Sequence, residues 1–429
     1  MKASLTLSFI ILVLGGFFGW RQHERLKVVR ETHHRVVAEV RASGLSPERL
    51  ATMGKLPFST RRGREDTANK TAVAKALAGE LIAWKSAAVN GQTTSDMDRG
   101  EEIMDQLLDL DPSQIKTIIA EIRASVEIDH LARKHLEELS LLRLGWNHPQ
   151  AALDFLIESS DVAKMTPLDQ HIISTSLERW ARENPLGALE WLRKNGENHP
   201  DLMTDRTKAA VIAGTATQDP KQALSLIGEM KLENKDTLSS SVAYAVSTPD
   251  EYTALLLALR DFEKNDAELV KKTLGNLAIR LTYQDFEETK AWLSSAKLSD
   301  QEMTSFSEGL SYSSTQADTG HWIDWLADKL PADQLTKKVA KSVWEWTEDD
   351  YQAAGEWIHG SADGPAKEAA VMGYAGALAR HQPESAAQWA LTLPEGKDRD
   401  KLLGDVHSQW KKKDPAAAAQ FALEHELGK

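Results

Sequence analysis

One short pattern returns along most of this 429-residue chain and constrains it more than any other feature. Near the end it reads Trp410-Lys-Lys-Lys-Asp414-Pro415-Ala-Ala-Ala-Ala-Gln-Phe421. Upstream it reads Trp180-Ala-Arg-Glu-Asn184-Pro185-Leu-Gly-Ala-Leu-Glu-Trp191 and Trp346-Thr-Glu-Asp-Asp350-Tyr351-Gln-Ala-Ala-Gly-Glu-Trp357. Aligned on the residue after the polar one, the anchors are Pro112, Pro149, Pro185, Pro220, Pro249, Phe286, Thr319, Tyr351, Pro383 and Pro415. Their mean spacing is about 34 residues, the range of two-helix repeats. Asp111, His148, Asn184, Asp219, Thr248, Asp285, Asp318, Asp350, Gln382 and Asp414 precede them, and eight of these ten are Asp, Asn or Thr.

That column has a direct cause. Asp, Asn and Thr side chains accept from the free N–H groups of a helix's first turn. Proline suits the next position, where its missing N–H has no partner to lose and its φ is already helical. Each anchor is therefore expected to start a helix. Three and four residues later come small residues, Ala152, Ala188, Ala223, Ala354, Ala386-Ala387 and Ala418-Ala419, which let a neighbour approach closely. Six residues after the anchor stands Phe155, Trp191, Trp292, Trp325, Trp357, Trp389 or Phe421. Offsets three and six share a helix face, so the aromatic is expected to fill the next layer. Five before the anchor, Trp180, Trp346 and Trp410 close the preceding helix. Asn195-Gly196, Gly360 to Gly364 and Pro394-Glu395-Gly396 read as turns between helices.

The expected architecture is all-α: an α-solenoid of about nine or ten helix pairs with a period of about 34 residues, each pair burying its apolar face only by stacking. In period and helix-pair design the chain resembles the tetratricopeptide class of solenoids, over residues 96–429. That family's Trp-x-x-Leu-Gly-x-x-Tyr signature is absent. The Trp-x-x-x-(Asp/Asn)-Pro-x-x-Ala-Ala-x-Trp column is more similar to a group of bacterial membrane-anchored helical-repeat proteins. This resemblance implies a fold and a scaffold role; it carries over no catalytic residues.

The first 66 residues differ from the rest. Ala3 to Trp20 is an uncharged apolar run of 18 residues, just long enough to span a bilayer. No small-x-small cleavage site follows it, so residues 1–20 read as an uncleaved transmembrane anchor or signal-anchor. Residues 21–43 read as a basic juxtamembrane helix and 44–66 as a linker broken by Gly and Pro. The helical body is expected from 67 to 429. Residues 1–64 carry 12 Lys/Arg against 4 Asp/Glu, and residues 65–429 carry 39 against 60. The positive-inside rule places the body in the cytoplasm; the signal-like N-terminus would export it to the periplasm. Gly15-x-x-x-Gly19 and the seam Leu26, Val29, His33, Val36, Val40 fit a homodimer through residues 15–40. A single stalk on the lipid surface fits them equally. The acidic body argues against nucleic acid as a partner.

No cofactor or metal site is legible. The chain has no cysteine, which excludes disulfides and thiolate ligands. His130 and His135 are five apart, off the i, i+4 spacing of a helical zinc pair. Asp96 to Glu102 begins like a calcium loop, but Glu101 stands at the glycine position and Leu107 at the bidentate Glu. Glu345, Glu348, Asp349 and Asp350 lie within one turn at a helix start and read as capping charge. Among the tryptophans outside the repeat columns, Trp322 and Trp344 are the candidate contacts for a protein or peptide partner. The function expected is a membrane-anchored, non-enzymatic scaffold. A polysaccharide hydrolase built on the array, or a structural spacer and dimerising anchor, are the alternatives.

Overall fold

A computed structural model describes residues 63–89, 102–103, 106–159 and 165–425. The apolar run, the basic stretch and nearly all of the linker lie outside the described residues, as does most of the calcium-like segment. The chain divides into two compact units, 1–72 and 73–429, and the repeat lies in the second. Among the described residues there are 21 α-helices and no strand. None of these helices is long and apolar enough to cross a membrane.

All ten anchors open helices, from Pro112–Ala124 and Pro149–Ser159 to Pro383–Leu391 and Pro415–Glu424. The capping column works as its chemistry demands. Asp111, Asn184, Asp219, Thr248, Asp285, Asp350 and Asp414 each accept from a first-turn N–H. Asp318 and Gln382 make no such bond.

Four corners are tighter than a hairpin. His148, Asn184, Asp350 and Asp414 each end one helix and start the next, with no other linking residue. The three with capping side chains adopt nearly one conformation: φ −144°, ψ 80° at Asn184, −140°, 86° at Asp350, and −141°, 90° at Asp414. A following proline disfavours the α conformation at Asn184 and Asp414, but Asp350 adopts the same corner before Tyr351. The corner N–H still closes the last turn behind it. It donates to the carbonyl of Trp180, Trp346 or Trp410, at 2.7, 2.7 and 2.8 Å. This explains the spacing between tryptophan and cap.

Burial follows the columns. The residue three after each anchor is buried whatever its size: Ile115, Ala152, Ala188, Ala223, Tyr252, Thr289, Trp322, Ala354, Ala386 and Ala418. Offset seven is the other core position, holding Ile119, Leu156, Leu192, Leu256, Leu293, Leu326, Ile358 and Ala390. Three and seven are one helical turn apart and share a face. The aromatic at offset six fills the core in only some units, with Trp191, Trp292 and Phe421 buried. Phe155, Trp325, Trp357 and Trp389 lie half-buried at the layer margin. Trp191 and Trp292 sit deeper, and each spends its indole N–H on the preceding unit: Trp191 donates to Asp154 Oδ1 at 2.8 Å, and Trp292 to Thr253 Oγ1 at 3.0 Å. Trp357 likewise donates to Asp324. Ala419 is exposed.

The second helix of each pair forms its own row. Pro167–Glu183 packs on Asp205–Ala216, then Lys235–Ala245, Ala267–Thr282 and Asp300–Gly309 follow in order. Ala332–Asp349 packs on Pro365–Leu378 in the same way. Glycine sets the distance between these backbones. A Cβ on Gly214 would stand 2.2 Å from the Glu178 carbonyl oxygen, and one on Gly373 2.2 Å from that of Ala340. Gly309 lies against Gly275 in the same manner. Asn195-Gly196 corrects a turn expectation, because both lie inside helix Pro185–Asn198. Gly196 is buried against Met203, and Asn195 Nδ2 donates to the Trp191 carbonyl at 2.9 Å. One continuous apolar cluster runs from Ala74 to Phe421.

Candidate functional site

The repeat separates the two tryptophans singled out from sequence. Trp322 occupies the offset-three column and is only 3% exposed. Phe286 and Trp325 meet its ring edge-to-face, with centroids 5.2 and 5.8 Å away. It lines a void of about 10 Å³ with Ser311, Thr315, Lys338 and Ser342, room for about one water. Trp322 is therefore core, not the exposed partner contact expected of it. Trp344 is 37% exposed, and the Arg380 guanidinium stands 5.9 Å from its ring centroid.

Sequence reasoning passed over three further exposed aromatics of the same row: Trp146, Tyr244 and Tyr283. All four lie in the last turns before an anchor. Trp146 and Tyr283 stand three residues before one, Tyr244 five, and Trp344 seven. The offset from the anchor was the signal available. It was obscured because tryptophans at the fifth position, Trp180 and Trp346, are buried.

Arginines accompany these rings. Arg179 stands 4.3 Å from the Trp146 ring centroid, close enough for cation–π attraction. Arg280 lies near Tyr244, whose phenol pKa is raised by burial and Tyr283 and pulled back by Arg280. Other arginines of the body are spent on structure. Arg123 pairs with Glu137, Arg182 with Glu178, Arg193 with Glu229, and Arg260 with Glu302. The side chains of Arg179, Arg280 and Arg380 make no hydrogen bond or ion pair among the described residues. Each pairing joins consecutive units, and the pairings recur three units apart. They precede anchors Pro149 and Pro185, then Pro249 and Phe286, then Tyr351 and Pro383.

The three settings differ. Trp146, 48% exposed, lines an open depression of about 410 Å³. Asp109, Asp111 and Glu183 stand around it, with Asn147, His148 and Arg179. His148 Nε2 lies 3.2 Å from the Leu110 carbonyl, which fixes the ring at the corner. Burial lowers the Arg179 pKa, with Glu183 opposing.

Acid chemistry has a weaker footing. Burial raises the Glu138 carboxyl pKa, and Asp169 and Glu137 add to it. Asp169 is committed to the capping box of Thr166, and Glu138 lies 3.9 Å from Lys134. Burial also raises the Asp324 pKa, against the indole bond from Trp357. Among the described residues no cluster of His, Asp and Glu is placed to hold a metal ion. The chain matches no protein-family model, no curated protein and no solved structure.

Proposed function

We propose that the chain is a non-enzymatic α-solenoid scaffold, held at a membrane by its N-terminal apolar run, which binds a polypeptide along the outer edge of its long helices. The observation that carries this reading is the pairing of the Arg280 and Arg380 side chains, which have no hydrogen-bond or ion-pair partners among the described residues, with exposed Tyr244, Tyr283 and Trp344. Tyrosine, tryptophan and arginine are the residues that most often dominate binding energy at protein interfaces. A guanidinium stacked on a ring keeps its in-plane N–H donors available for a partner's carbonyls or carboxylates. Stacked repeats present equivalent positions as an extended surface, which suits a partner that contacts several units at once.

The test is site-specific photocrosslinking in cells, with a benzophenone side chain at position 283, 344 or 257. Leu257 is also exposed but lies on an anchor helix, Pro249–Phe262. One polypeptide crosslinked from both 283 and 344, and not from 257, supports the scaffold reading. No crosslink at 283 and 344, or equal yields at all three, contradicts it.

A further inference from the structure

We infer that the Trp146 concavity is a binding site for a neutral saccharide, separate from the polypeptide edge further along the row. Three observations meet there. The first is an open surface depression of about 410 Å³. The second is an indole in its lining that is 48% exposed. The third is a set of polar groups of both kinds around that ring.

The polar set discriminates between ligand charges. An anion would find Arg179 but would meet Asp109, Asp111 and Glu183 as well. A cation would find those carboxylates but would meet the Arg179 guanidinium 4.3 Å from the ring it must stack on. Either charge would therefore meet a like charge at the site and bind at a penalty. A neutral polyhydroxylated ring avoids both penalties. Its hydroxyls donate to carboxylates and accept from a guanidinium or amide N–H, because each hydroxyl is both donor and acceptor. Its apolar C–H face lies on the indole, whose large ring supplies most of the contact area.

The site is also held rigid. Trp146 is the penultimate residue of helix His130–Asn147, immediately before the one-residue corner at His148. Arg179 comes from the next helix of the row, Pro167–Glu183. Glu183 is the last residue of that helix, and Asp111 caps Pro112–Ala124. Three consecutive units thus build one site, and its geometry depends on their stacking.

The experiment is saturation-transfer difference NMR with calorimetry on the full chain, in a detergent without a sugar headgroup. Cellohexaose, chitohexaose and maltohexaose are the neutral probes; hexagalacturonate and the glucosamine hexamer are the charged ones. At least one neutral hexasaccharide is expected to bind with a Kd below about 1 mM, and both charged probes more weakly. W146A is expected to weaken that binding at least tenfold, R179Q to weaken it measurably, and W344A to leave it unchanged. Circular dichroism and a thermal midpoint verify that each variant folds; R179Q carries the test if W146A does not. The inference is overturned if no neutral probe binds at 1 mM, if a charged probe binds as well as the best neutral one, or if the folded W146A or R179Q chain binds like the parent. The polypeptide reading stands or falls separately, since it is tested at positions 283 and 344.

Discussion

At Asn184 the chain passes from one helix to the next on a single residue. At Asp318 it takes a four-residue helix, Tyr312–Thr315, and a 3-10 turn, Gln316–Asp318, to reach the same point of the repeat. Asn184 caps Gly187 N–H at 3.0 Å, and its own N–H closes the helix behind it. Asp318 sits at φ −98°, ψ 10° and makes no capping bond. The missing proline is not the cause, because Asp350 forms the tight corner before Tyr351. What differs is the element behind. Asn184 and Asp350 follow helices of 17 and 18 residues, whose last turn aligns a free tryptophan carbonyl with the corner N–H. Asp318 follows a short insert that offers none. Beyond the irregular corner the columns resume, and Trp322 fills a position held by alanine in six of the other nine units. The repeat is therefore enforced by the buried columns, while the corners have latitude.

The comparison can be broken most severely at Trp322. Trp322→Ala removes a fully packed indole and should cost about 3–5 kcal/mol in chemical denaturation. Trp344→Ala, at a half-open site, should stay within about 1 kcal/mol. Equal costs would mean that the column does not determine burial. Gly214→Val probes the row of long helices, where the new Cβ meets the Glu178 carbonyl rather than a flexible side chain. The expected loss is about 3 kcal/mol, because close-packed backbones absorb overpacking poorly. Asn184→Ala against Asp318→Ala sharpens the contrast between corners. The first should lose about 1 kcal/mol with its cap, and the second close to nothing.

The smallest effect is a pH dependence at the irregular corner. Burial lowers the Lys338 amine from its ordinary 10.5 to about 8, with Lys341 adding and Glu308 and Glu345 opposing. Below about pH 8 the amine is charged in both states, and holding it folded costs stability. Between about 8 and 10.5 the unfolded chain holds a proton that the folded chain has shed, so this group makes stability rise with pH. Tyr312, raised to about 12 by burial and its bond to Asp349, acts in the opposite sense above pH 10. Denaturation midpoints from pH 8 to 10 should therefore rise less in Lys338→Met than in the parent. An identical slope would remove Lys338 from the account.

The helix starts were legible because their causes are local. A carboxylate or amide that caps, a proline whose N–H is not missed and a fixed spacing all lie within a few residues of one another. The glycines of the long-helix row were not legible, because their use depends on which face of Asp205–Ala216 or Pro365–Leu378 meets its neighbour. Gly196 shows the same difficulty. Beside asparagine it reads as a turn, yet it is a helical residue under Met203. The offset-six aromatics were half legible. Their period was visible, but their place at the layer margin and their indole bonds to the preceding unit required the stack. Of the candidate contacts, Trp344 kept its exposure. Trp322 did not, because it falls on a column that the chain buries in every unit. Trp146 was missed because its value comes from Arg179, 33 residues on and one unit away.

The central claim is that the offset-three column, and not residue type, decides that a side chain such as Trp322 is buried. Hydroxyl-radical footprinting read by mass spectrometry tests this at all the described tryptophans in one measurement. Trp146 and Trp344 should oxidise fastest, Trp325, Trp357 and Trp389 at intermediate rates, and Trp180, Trp191, Trp292, Trp322 and Trp346 slowest. Oxidation of Trp322 at the rate of Trp146 would contradict the account.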